Sequence, residues 1–240
     1  MTGLSLSGQQ PLSSDMILEV CANSIQSAKA AGQGGADRIE LCRDLALDGL
    51  TPELEVLEAL QPRSSGLSIP VFVLIRPRAG DFVYSESEIE QMIDEIELVK
   101  RLNYPGVVIG VLSQNKTINL LAMHRLVVAA EGLQVTFHKA FDEVIDPFEA
   151  LDQLKELGVH RVLTAGQATH VGAGVKLLTQ LVARAGNDIV IMPGGGLRPE
   201  NVALALQTGA REYHSSCIPA GQEFTDPEIV SQLKSSLSRG

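Results

Sequence analysis

Three cysteines, five histidines and a set of charged residues at alternate positions of short β-branched runs are the chemically capable features of this chain. Cys21 lies near the end of Ile17-Leu-Glu-Val-Cys-Ala22, and Cys42 closes Asp37-Arg-Ile-Glu-Leu-Cys42. On neighbouring strands, about 4.8 Å apart, two inward thiols at these places can share one ion. Soft thiolates select Cu(I) or zinc over hard cations. Zinc asks for more ligands than two sulfurs. The other reading of the pair is as two small core hydrophobes.

Further motifs sit at other strand ends. Arg76-Pro-Arg78-Ala-Gly-Asp81 brings two guanidinium groups that can grip a carboxylate or phosphate bidentately, or pair with Glu40 or Asp81 instead. In Phe137-His138-Lys-Ala-Phe-Asp142 the histidine is an acid/base or ligand candidate, with Asp142 as its orienting partner or as a helix cap. Pro193-Gly194-Gly195-Gly196 exposes backbone amides that cradle anions at a helix start, or serves as a tight turn needing positive φ. Tyr213-His214-Ser215-Ser216-Cys217 adds hydroxyls to the same end, with His214 and Cys217 as further metal donors. Glu19 is a second candidate for moving a proton.

These residues are positioned by a regular alternation. Strands are predicted at 17–22, 37–42, 69–76, 106–112, 134–141, 161–165, 188–192 and 211–217. Helices are predicted at 24–34, 85–102, 120–131, 147–157, 175–185, 199–207 and 226–237, with one more opened by Thr51-Pro52 as cap and first helical proline. Glycines after two of the helices, Gly158 and Gly209, fit left-handed caps. Strand–helix alternation demands a parallel sheet with helical cover. Eight such units match the size of a closed (β/α)₈ barrel of TIM type. A doubly wound sheet is the alternative, without its G-x-G-x-x-G turn. Alternation within strands turns Glu19, Cys21, Arg38, Glu40, Cys42, Arg76, Glu212 and His214 toward the interior. Such charges must pair with one another or reach solvent at the mouth.

Lys plus Arg number 19 against 29 Asp plus Glu, a net charge of −10, which opposes nucleic-acid or anionic-membrane binding. Hydrophobic residues make up 45% and mean hydropathy is +0.13, as in a soluble globule. No apolar run reaches the ~20 residues of a membrane span. Residues 1–16 read as a flexible polar tail without signal-peptide character, and 17–240 as the barrel domain. An odd number of cysteines in a chain of this size points to a reducing cytoplasm.

Taken in order, Leu18-Glu-Val-Cys21, Gly35-Ala-Asp-Arg-Ile-Glu-Leu-Cys42, Gly49-Leu-Thr-Pro52, Ile75-Arg-Pro-Arg78 with Gly80-Asp-Phe82, Val135-Thr-Phe-His138, Arg161-Val-Leu-Thr164 and His214-Ser-Ser216 resemble the CutC family of copper-homeostasis proteins. The resemblance implies a (β/α)₈ barrel, a cytoplasmic place in copper handling, Cu(I) held by Cys21 and Cys42, and a homo-oligomer, dimeric or tetrameric. The chain departs from the family pattern at Ala79, Lys139 and Ala165 and across residues 43–48. The rival expectation is a barrel enzyme for a small anionic, phosphorylated or carbohydrate-like substrate. There Arg76, Arg78, Gly194, Gly195, Gly196 and Ser215 would hold the anion, and Glu19, His138 and Asp142 would do the chemistry.

Overall fold

Alternate residues of most β segments are apolar on one side, and that side is covered by helices. A computed structural model describes residues 16–62 and 65–238; the polar tail expected over 1–16 lies, apart from Met16, outside the described residues. The first units are β1 (Ile17–Ala22), α1 (Ile25–Gln33), β2 (Arg38–Leu41), α2 (Leu54–Ala59), β3 (Val71–Leu74) and α3 (Glu86–Arg101). Then follow β4 (Gly106–Ile109), α4 (Leu120–Ala129), β5 (Gln134–Phe137), α5 (Pro147–Glu156), β6 (Arg161–Thr164) and α6 (Val175–Ala185). The last are β7 (Val190–Pro193), α7 (Val202–Leu206), β8 (Glu212–Ser215) and α8 (Pro227–Leu237).

All ladders are parallel, in the order β7-β6-β5-β4-β3-β2-β1-β8. β7 and β8 lie side by side without a ladder, so the (β/α)₈ barrel closes there by packing. Leu18, Val20, Ile39, Leu41, Val73 and Ile75 face outward into the helix-covered core. On α3 the residues Ile89, Met92, Ile96 and Val99 are buried as their spacing predicts, while Ile93 is only partly covered. Ser85 and Glu88 form a capping box at its start. Gly158 and Gly209 have φ of 77° and 75°, the left-handed geometry their helix ends need.

The strands are mostly shorter than expected, as in β3, β4 and β8, and three further shifts have a clear local reason. β5 stops at Phe137 because His138 Nδ1 accepts the Ala140 N–H and starts a 3₁₀ turn over Lys139–Glu143. Pro52 is not the first residue of α2, whose cap is Glu53. Thr51 is engaged elsewhere: its hydroxyl accepts from Arg76 N at 2.9 Å and donates to Glu95 at 2.8 Å. α7 begins at Val202 rather than Pro199, since Asn201 Oδ1 first takes the Arg198 N–H in a turn.

Candidate functional site

The barrel interior is built in levels. At the lowest, the first residues of β2, β6 and β8 are Arg38, Arg161 and Glu212, all buried. Arg38 donates to both Glu19 and Glu212, and Arg161 donates to Glu212 at 3.1 Å. Both guanidinium groups lie over the Phe72 ring, 5.0 and 5.1 Å from its centre. Two arginines thus neutralise two carboxylates in a site without water access, which removes the several-kcal/mol cost of an unpaired buried ion. Glu19 has no exposed surface, and His214 Nδ1 meets its other oxygen at 2.8 Å. Burial pushes the Glu19 carboxyl up, but Arg38 and His214 outweigh it and hold the group at about 2.

One level higher, β1, β2 and β8 present Cys21, Glu40 and His214 with ligand atoms all within 4.8 Å of one another. Cys21 Sγ lies 3.4 Å from Cys42 Sγ, and neither cysteine is in a disulfide. The shared hydrogen bond with Cys42, burial and the neighbouring Glu40 hold the Cys21 thiol well above its ordinary range. Burial pushes Glu40 up to about 7, against the pull of His214. His214 is itself drawn up: burial opposes its charge, but hydrogen bonds to Cys21 and Glu19 and the charge of Glu40 prevail. Cys217 is not brought to this cluster. It packs in the outer apolar core, where burial pushes its thiol up to about 11.

The opposite wall comes from the ends of β3 and β5. Arg76 is buried, but it pairs with neither Glu40 nor Asp81. Its Nη atoms donate to the carbonyls of Leu47, Gly49 and Gly80, pinning the loop after β2 over the mouth, and its Nε has no partner. Arg78 does not reach the cavity; it pairs with Asp81 and Glu88 and covers the Tyr84 ring. His138 packs against Phe82 and Phe137, with ring centres 4.9 and 5.9 Å away. A methyl on Gly110 would come within 2.4 Å of its ring, so the glycine is what makes room for it. Burial and the Arg76 charge lower His138 to about 3, leaving it neutral. Because Nδ1 accepts from Ala140, Nε2 carries the hydrogen, and it has no acceptor. Asp142 is not its orienting partner. That carboxylate takes the Thr164 hydroxyl and the N–H groups of Ala165 and Gln167, tying down the loop after β6.

The third wall follows β7 and β8. Gly195 and Gly196 have φ of 91° and 70° and line the cavity with Ser215. Gly194 stays behind them at the seam, where a methyl would lie 2.5 Å from Leu163 and 3.1 Å from His214. Ser215 gives its hydroxyl hydrogen to Leu197 O at 2.8 Å. Arg198, absent from the sequence-derived candidates, donates to Leu197 O, Ser215 Oγ, Ser216 Oγ and Ile218 O. Arg161 was likewise missed, although strand alternation puts it on the same face as Leu163. These walls enclose about 280 Å³, bounded by Cys21, Glu40 and His214 on one side and Arg76, His138 and Arg198 on the other.

The CutC family model matches residues 16–219. A CutC family protein of Parabacteroides distasonis is 45% identical over 201 residues, covering 83% of this chain and 82% of the relative. One from Pasteurella multocida is 45% identical over 202 residues, 84% of this chain and 82% of the relative. The crystal structure of a Streptococcus agalactiae protein described as a copper homeostasis protein CutC superposes with a TM-score of 0.80 at 33% identity, covering 84% of this chain and 98% of that one. Deoxyribose phosphate aldolase from Aeropyrum pernix, at 16% identity and a TM-score of 0.66, shares the fold, with 93% of this chain and 90% of that one covered. With the family model spanning nearly the whole barrel and relatives this similar, the chain belongs to the CutC family.

Proposed function

We propose that this protein binds Cu(I) as cargo in a reducing, cytoplasmic compartment, with Cys21 and Cys42 as its thiolate ligands and His214 as a third donor. The observation that carries the reading is the 3.4 Å separation of the two sulfurs beside a cavity wall that also holds His214. Two sulfurs of a three-coordinate site, at a metal–sulfur distance of about 2.3 Å, lie about 4.0 Å apart, so the pair needs to open by roughly 0.6 Å. Two sulfurs and an imidazole form a soft donor set, matched to Cu(I) and poorly matched to magnesium or calcium. Glu40 is the hard member of the cluster. Its part is to balance charge near the ion rather than to select it.

Anaerobic titration with Cu(I) against a competing chelator tests this. The wild type is expected to take up one tightly held equivalent. Cys21→Ser combined with Cys42→Ser is expected to weaken it by more than about 100-fold, beyond the loss typical of outer-shell changes. Equal affinity in the double variant would overturn the assignment.

A further inference from the structure

Two guanidinium groups in the cavity wall have no carboxylate partner. Among the described arginines that are not exposed, Arg38, Arg43, Arg78, Arg125 and Arg161 each have a carboxylate within salt-bridge distance. Arg76 and Arg198 have none, and both line this one cavity. Their hydrogen bonds go to backbone carbonyls and serine hydroxyls, which satisfy donors without cancelling charge. In a chain with ten more acidic than basic groups, two guanidinium ions without a counter-ion are not a compositional accident.

The carboxylates that also line the cavity, Glu40, Asp48, Asp142 and Glu143, hold other partners and form no ion pair with either arginine. Asp142 is occupied by Thr164 and two backbone amides, Asp48 pairs with Lys139 at 3.1 Å, and Glu143 lies 3.9 Å from Lys116. Glu40 stands toward His214 at 3.6 Å, on the sulfur wall. Donors without acceptors cluster on the same side as the arginines. Arg76 Nε and His138 Nε2 are buried and unpartnered, and the amides of Gly195 and Gly196 have no acceptor among the described residues. A buried donor left unmade is costly. A metal cation would satisfy none of these groups and would be repelled by the guanidinium ions.

We infer that the cavity binds a small organic oxyanion, its charged group between Arg198 and the amides of Gly195 and Gly196, and a second oxygen accepting from His138 Nε2. Carboxylates and phosphate esters share this chemistry, since both bring negative oxygens to backbone amides and to the unpaired charge of Arg198. The volume of about 280 Å³ is at the small end of ligand sites and suits a small metabolite. The site goes beyond the copper reading and stands without it, because neither sulfur touches these donors.

Thermal unfolding with inorganic phosphate, glycerol 3-phosphate or malate, each against sodium chloride at matched ionic strength, tests the inference. At least one oxyanion is expected to raise Tm saturably by several degrees, since a ligand of the native state alone must stabilise it. Response to the two phosphates alone identifies a phosphate site, and response to malate alone a carboxylate site. Arg198→Gln is expected to weaken the response at least tenfold, whereas Cys21→Ser with Cys42→Ser keeps it, which separates this site from the copper site. Calorimetric titration of the wild type with the same three probes covers the case in which Arg198→Gln does not fold. No heat and no shift beyond chloride from any probe overturns the inference, as does an unchanged response in Arg198→Gln.

Discussion

Arg38 is the residue on which the lower barrel depends, because it alone touches both Glu19 and Glu212. Arg38→Met keeps most of the volume but leaves Arg161 as the one guanidinium for two buried carboxylates, with Glu19 losing its arginine partner. Breaking a buried pair from one side costs about 3–5 kcal/mol, a large part of the ~5–15 kcal/mol that holds a domain together. Urea unfolding is expected to show that loss, and adding Glu19→Gln alone to Arg38→Met, which leaves Arg161 paired with Glu212, is expected to restore most of it. If the single variant is as stable as wild type, the network is not what neutralises these charges.

Thr51 shows how an element junction can be fixed by one hydroxyl. It joins the end of β3 to α3 by accepting from the buried Arg76 N–H and donating to Glu95. Thr51→Val leaves that N–H unmade, at a cost of about 1–3 kcal/mol. Thr51→Ser keeps the hydroxyl and is expected to lose much less by the same chemical denaturation. A valine variant as stable as the serine variant would contradict this role. The sequence alone read Thr51 and Pro52 as a helix start, since local capping statistics know nothing of a strand 25 residues away. The eight units themselves were legible, because burial on both sides of a parallel sheet enforces their pattern. So was the inward set of Glu19, Cys21, Arg38, Glu40, Cys42, Glu212 and His214, because a strand offers only two faces. Partners were not legible. Nothing in the spacing says that Asp142 turns to β6 rather than to His138, or that Arg76 spends its fork on its own neighbouring loops. Arg198 lay hidden because it is in a loop, where no periodicity assigns a side.

Stability of the whole molecule against pH follows from groups whose protonation changes on folding. His138 is held neutral down to about 3. Below its unfolded value of about 6.5 the unfolded chain therefore binds a proton that the folded chain refuses, and stability falls as pH falls from about 6.5 toward 3. Glu40, raised to about 7, acts with the opposite sign: the folded chain holds a proton that the unfolded chain releases above about 4.5, so this contribution weakens as pH rises from there to about 7. The two slopes nearly cancel in wild type between about pH 4.5 and 6.5. His138→Gln removes only the first. The variant is expected to gain stability relative to wild type on acidification, by up to about 1.4 kcal/mol per pH unit in that window. Chemical denaturation of both proteins at pH 6.5, 5.5 and 4.5 reads this difference, and parallel curves would show that His138 is not held neutral.

The interlocked arginines and glutamates beneath the mouth also make the barrel a blind well. Arg38, Arg161, Glu19 and Glu212 are all at most 7% exposed, so they seal its bottom. Any ion on the two sulfurs must enter and leave past the rim formed by Lys139, Gly196 and Arg198. Two guests sharing such a well exchange in strict sequence, and the one nearer the door departs first.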